Sequence, residues 1–338
     1  MDIERKDNTI KIGMNDYANS LEEIKEFRDV KKDDSLTKLE YKIYRKYTGK
    51  LSWLADNVRP DLCHTVLEMS RKNNSANMGD LKNVNRVLEK VRNKENILIF
   101  KKLGNNEELC MYGITDASFH QDKKSIAGNM LILGNQNNDD AVPLYWKSKS
   151  IDRVCESSKD AEARAMNMMI DVGKQLTEQI EQLLSKKNPE LKKKNIPIKI
   201  FTDNIPVLKS IASTTQSKNR YLRPTYAKFK ENLEFKEIDG FSWIDGRKML
   251  ADVLTKEKSH ESDTGQEMNE IMEKNLFKYG KTEDNLVLWK KGEIMLLNPK
   301  EKDETEEKNE LERRQKEFSK ESEEDTTKAN FQKEEKFE

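Results

Sequence analysis

No apolar run in the 338 residues approaches the roughly 18 that a membrane span needs. Cysteine is scarce as well. Its three copies, Cys63, Cys110 and Cys155, are odd in number and far apart, which excludes a disulfide framework and a zinc-binding spacing, and the adjacent Cys63-His64 pair is not a chelating pattern. Glycine (13) and proline (7) are few, and net charge is zero, with 62 Lys+Arg against 62 Asp+Glu. Such a chain is no polycation that coats nucleic acid wholesale, although it can still hold a local basic groove. The first residues, MDIERKDNTIK, are charged where a secretory signal would be apolar, so the expected setting is the cytoplasm or nucleus, without secretion or a membrane partner. What the chain does have is charge, 37% of its residues, beside a hydrophobic fraction of 35%, which allows one or two globular domains plus flexible segments.

The balance hides an asymmetry. Residues 301–338 hold 9 Lys+Arg against 15 Asp+Glu, and their few apolar side chains cannot offset the entropy of ordering them, so they are expected to be a disordered charged tail. The first hundred residues read as helical. Tyr44, Tyr47, Leu51 and Leu54 form a stripe at spacings of three and four, Pro60 ends that helix, and further helices follow at Leu62–Met69 and Asp80–Lys94. From residue 95 the period changes to extended runs: ENILIFKKL, ELCMYGITDAS, IAGNMLILG and VPLYWKSKS. A long helix over 159–184 comes next, then the strand IPIKIFTDN, helices at 207–211 and 222–233, a strand at 237–244 and a short helix at 248–256.

Asp116 and Asp203 each follow directly on an apolar strand, where a carboxylate is costly unless something positive meets it. Capping of the next turn or helix explains them equally well from local sequence. Glu162, in the first turn of the long helix, reads alone as a helix-dipole residue. Asp252 lies among apolar residues in MLADVLTK, an awkward place for an exposed charge. Spacing alone does not force these four together.

The blocks YRKYTGKLSWLADNVRPDLCHTVLEMSR (44–71), YGITDASF (112–119), YWKSKSIDRV (145–154), SSKDAEARAM (157–166), IKIFTDN (198–204) and LADVLTK (250–256) occur in this order. They resemble the carboxy-terminal part of the polyprotein of Ty1/copia-type retrotransposons, over residues 8–256, about three quarters of the chain. The resemblance implies a partial reverse transcriptase thumb or connection segment over 1–100 and a ribonuclease H domain over 101–260, followed by an extension at 261–300 and the tail. It implies an α/β, RNase H-like fold: a five-stranded mixed sheet, three strands antiparallel and two parallel, with helices on both faces. It also maps the family's metal-binding carboxylates onto Asp116, Glu162, Asp203 and Asp252. Two Mg²⁺ ions, replaceable by Mn²⁺, would then serve hydrolysis of the RNA strand of an RNA–DNA hybrid, with Asp116 bridging, Glu162 and Asp203 on one ion and Asp252 on the other. Candidate hybrid contacts are Lys218, Arg220 and Arg223 in SKNRYLR, with Lys147 and Arg153 weaker candidates and solvated helix charge the plainer explanation.

Departures matter too. Where the family usually has Ser-Thr-Glu-Ala-Glu, this chain has SSKDAEAR, which puts Arg164 two residues after the glutamate. No role falls to His120 or His260. The Asp-Asp pairs, 33–34 and 139–140, lie in polar turns and not on the hydrophobic hairpin of a polymerase, and Asp263-Thr264-Gly265 lacks the strand-like flanks of an aspartic protease. The chain is therefore expected to be a fragment or derivative of such a polyprotein without a polymerase site. It is either an active ribonuclease H or a silent or recruited remnant that binds nucleic acid or protein. The connection helices, with Trp53 added to their stripe, are the expected surface for self-association or for a polymerase-bearing partner.

Overall fold

The computed structural model describes residues 1–104, 108–187, 196–215, 217, 219–257, 262–278, 286–290 and 292–297. The expected tail lies outside them. The chain opens on strands β1 (Asp2–Lys6) and β2 (Thr9–Gly13), joined at Asp7, whose φ of 52° is the left-handed geometry of a tight turn. Helices α1 (Asn15–Asn19), α2 (Lys38–Asn57), α3 (Cys63–Arg71) and α4 (Met78–Arg92) follow, then β3 (Ile97–Lys101), which pairs antiparallel with β2. The amino-terminal hundred residues thus include a three-stranded sheet where the periodicity suggested helix. β1, DIERK, is exposed along its whole length and carries no apolar face to betray it.

Local signals place the helices. Thr37 and Glu40 close a capping box at the start of α2, and Asn77 and Asp80 close another at α4. Pro60 begins a 3-10 turn that separates α2 from α3.

The main sheet is built from β4 (Leu109–Ser118), β5 (Ile126–Asn135), β6 (Ala141–Ser150), β7 (Ile198–Thr202), β8 (Gly240–Trp243), β9 (Leu286–Lys290) and β10 (Glu293–Leu297), in spatial order β10-β9-β8-β7-β4-β5-β6. β4, β5 and β6 are antiparallel neighbours, and β7 and β8 run parallel to β4. Those five strands have the order and directions of the RNase H-like fold expected above. The β9–β10 hairpin adds two more, pairing antiparallel with β8.

Both faces of the sheet are covered, so β4 is buried along nearly its whole length. Along it the side chains alternate: Cys110, Tyr112 and Ile114 join the amino-terminal helices in one core, while Met111 joins the helices of the opposite face. Those helices are α5 (Ser158–Lys187), α6 (Ile205–Ala212) and α7 (Arg223–Glu234). A 3-10 turn at Leu250–Leu254 and helix α8 (Asp263–Asn269), which runs on into a π-helical turn at Glu270–Lys274, complete the first face. No helix among the described residues is long and apolar enough to cross a membrane.

The stripe expected to be partly open is mostly closed. Tyr44, Tyr47, Leu51 and Leu54 are buried, and only Trp53, 54% exposed, faces outward. α3, α4 and the Pro60–Leu62 turn pack against α2, and the Tyr44 and Tyr47 hydroxyls donate to Met69 O and Glu22 O.

Candidate active site

Three elements that end side by side bring Asp116, Glu162 and Asp203 together: β4, the first turns of α5 and the carboxyl end of β7. One carboxylate oxygen from each lies within 4.8 Å of the others. Parallel pairing of β4 with β7 puts both strand ends on the same edge, which explains why the two aspartates meet.

The capping explanation fails for each. Asn204, not Asp203, caps α6, its Oδ1 accepting from Val207 N at 3.1 Å. At the start of α5 the work is done by Ser157 and Asp160: Ser157 Oγ accepts from Asp160 N, and Asp160 accepts from Glu156 N. Arg164 pairs with Asp160 at 2.6 Å and so turns away from the cluster. Glu162 is left with Oε2 buried and without a hydrogen-bond partner. Asp116 caps nothing and accepts a short hydrogen bond from Thr255 Oγ1.

Asp252, buried in the 250–254 turn, joins the group through Lys256. The Lys256 ammonium is ion-paired with Asp252 Oδ1 and lies 3.9 Å from Asp116 Oδ2. Neither Thr255 nor Lys256 stands out in the sequence as a site residue. The i,i+4 spacing from Asp252 to Lys256 was the available signal.

Burial dominates the electrostatics. It pushes the Glu162 carboxyl up to about 9, helped by the charges of Asp116 and Asp203, with the Ala117 amide and Lys256 pulling the other way. Burial also raises Asp116, opposed by Lys256 and the Thr255 hydrogen bond, and it raises Asp203 against the same lysine. For Lys256 itself, burial is outweighed by the charges of Asp116, Asp252 and Asp203, so its ammonium is held more firmly than usual. An unpartnered buried carboxylate oxygen amid an all-oxygen donor set fits a hard divalent cation such as Mg²⁺.

The expected nucleic-acid contacts scatter. Lys147 is ion-paired with Asp56 of α2 at 2.7 Å, engaged in holding two layers together. Arg153 and Arg220 are exposed, as is Tyr221, while Arg223 Nε donates to Ser217 O at 2.9 Å. Lys218 and His260 lie outside the described residues. His120 stands 3.4 Å from Ser118 Oγ. A cavity of about 770 Å³ opens where α5 begins, between α6 and α7, lined by hydroxyls such as Ser213, Thr215 and Ser217 with Lys159, Arg223 and Lys230. Asp263-Thr264-Gly265 starts α8 under a Ser262 cap, which is no protease geometry.

No family model and no curated protein matches the sequence. Among solved structures, LC11-RNase H1, isolated from compost by a metagenomic approach, is similar at a TM-score of 0.28 and 16% identity, covering 44% of this chain and 92% of that one. A crystal structure of LC11-RNase H1 in complex with RNA/DNA hybrid is similar at a TM-score of 0.28 and 13% identity, covering 42% and 88%. The fold is identified by its strand order and directions.

Proposed function

We propose that this chain is a divalent-metal-dependent endoribonuclease that hydrolyses the RNA strand of RNA–DNA hybrids, derived from the carboxy-terminal part of a Ty1/copia-type polyprotein. The carrying observation is that Asp116, Glu162 and Asp203 converge within 4.8 Å at one edge of an RNase H-like sheet, without caps to make or arginines to pair. Residues 1–100 are then the remnant of a thumb or connection segment, 101–260 the ribonuclease H unit, and 261–300 an extension beyond it.

By the family resemblance Asp116 would hold both ions, Glu162 and Asp203 one of them and Asp252 the other. Asp116, Glu162 and Asp203 lie together, and Asp252 reaches Asp116 through Lys256. Two Mg²⁺ or Mn²⁺ ions supply charge compensation at the attacking and leaving oxygens of an in-line displacement. The chain's own residues set up that chemistry. Thr255 orients Asp116 by its hydrogen bond, and the Asn204 cap fixes the chain just after Asp203. The depth of Glu162 keeps bulk water from its Oε2. Recognition of RNA would come from contacts to 2′-hydroxyls and phosphates, for which the hydroxyl-rich cavity beside α5, Arg220, Arg223, Arg153 and the stacking face of Tyr221 are the candidates.

The test is cleavage of a labelled hybrid by the purified chain with Mg²⁺. Cutting of the RNA strand, abolished by EDTA and reduced at least about a hundredfold by Asp203→Asn, is the expected result. An Asp203→Asn protein that cuts at the parent rate would overturn the assignment. A folded parent that binds hybrid and never cuts would mark the chain as a binding remnant.

A further inference from the structure

We propose that Lys256 is a tethered counter-ion of the carboxylate cluster, which competes with divalent metal for Asp116 and Asp252 and so sets the cluster's metal affinity. The inference rests on the proposed reading of the cluster as a metal site.

Three observations support it. First, the ammonium is directly paired with Asp252 and lies 3.9 Å from Asp116 Oδ2. An ion held between those two carboxylates needs the same oxygens and the same space, so ammonium and ion exclude each other. Second, the backbone carrying Lys256 is fixed. Thr255 bonds to Asp116, Ser148 Oγ donates to Leu254 O at 2.5 Å, and Glu257 on the other side is ion-paired with Lys90 of α4 at 2.7 Å. Only the flexible four-carbon stem is free to carry the ammonium elsewhere.

Third, there is a place for it to go. Lys256 is about half exposed and also lines a cavity of about 530 Å³ between the amino-terminal layer and α8, whose wall includes the acids Asp61, Glu257 and Glu273. A displaced ammonium would have acidic neighbours there, each already shared with another cation: Asp61 with Arg59, Glu257 with Lys90 and Glu273 with Lys94. The arrangement spares the buried acids mutual repulsion before metal arrives, and makes the site weaker for metal than its donor set alone would be.

Isothermal titration of the full chain with Mn²⁺ in the absence of nucleic acid, beside Lys256→Met and Lys256→Arg, tests the competition. Thermal melts of the same three proteins in EDTA test the counter-ion role. Lys256→Met is expected to bind Mn²⁺ about five- to a hundredfold more tightly and to melt lower in EDTA, while Lys256→Arg, which keeps the charge, stays near the parent. If the parent binds Mn²⁺ and Lys256→Met binds it equally or more weakly, the inference is overturned while the metal site stands. An unchanged melt of Lys256→Met in EDTA overturns the counter-ion role in the same way. If neither protein binds Mn²⁺, the metal-site reading itself falls and the competition falls with it.

Discussion

Glu162 takes its carboxyl further from water than an unpaired acid ordinarily goes, and its buried Oε2 has no partner. The consequence for stability has a definite sign. In the unfolded chain the group titrates near its ordinary value of 4.5, and in the folded chain burial pushes it up to about 9. Between those values the folded state binds more protons than the unfolded one, so metal-free stability falls as pH rises through that window. A divalent ion at the proposed site would require the ionised form, so its affinity is expected to rise over the same interval. Denaturant unfolding in EDTA at pH 5, 7 and 9 should show the decline, and Glu162→Gln should flatten it. Equal slopes in the two proteins would mean that the carboxyl is solvated. The sequence marked Glu162 only as a helix-dipole residue because its role depends on a competitor three positions from the Ser157 cap. Asp160 takes the capping bonds and Arg164. Those bonds are local, but the approach of Glu162 to Asp116 and Asp203 joins residues far apart in the chain, so Glu162 joined the site through the family resemblance.

At the scale of elements, the site depends on how closely the 250–254 turn approaches β5. Gly128 makes that approach possible. A Cβ there would stand 2.6 Å from Thr255 Cγ2 and 2.7 Å from Ala251 O, the second of which is backbone and cannot step aside. Gly128→Ala is expected to cost about 1–3 kcal/mol and to push Asp252, Thr255 and Lys256 away from Asp116. Urea unfolding gives the first effect and Mn²⁺ titration the second, and a variant with parent stability and parent affinity would show that the turn is mobile enough to yield. The longer helices, α2 to α5 and α7, and the five central strands were legible because their apolar periods are long and their caps are sequence-local, as at Thr37 and Asn77, whereas α1 and α8, five and seven residues long, were not read. Nor were the terminal hairpins. β1 has no buried side chain, and β9 and β10 are five residues each, without buried alternation long enough to read. The placement of β4 between β5 and β7 joins strands far apart in the chain, which no local pattern contains.

The amino-terminal layer and the main sheet share one core across the whole molecule. Leu51, Leu54 and Val66 of the helices pack in a single cluster with Tyr112, Ile114, Met130 and Trp146 of the sheet. Polar ties run along the same boundary. Trp146 Nε1 donates to Ala55 O at 2.8 Å, and Arg71 reaches Ser150 Oγ at 2.9 Å and Lys124 O at 2.7 Å. The segment after α8 closes the join. Asn275, in the left-handed region at φ 57°, bonds through its side chain to both Ile99 O and Lys101 N of β3, while its carbonyl accepts from Ala141 N of β6. Phe277 packs beside it on the rings of Tyr112 and Phe201. Separating the layers would expose this apolar face and orphan its hydrogen bonds, so they are expected to unfold together. Far-UV circular dichroism and tryptophan fluorescence should therefore trace one urea transition with one midpoint. Trp146→Ala removes both the ring and the bond to Ala55 and should lower that midpoint in both probes alike, by about 3–5 kcal/mol of stability. Two resolved transitions, with only one moved by the substitution, would show instead that the amino-terminal layer is an independent domain resting on the main sheet.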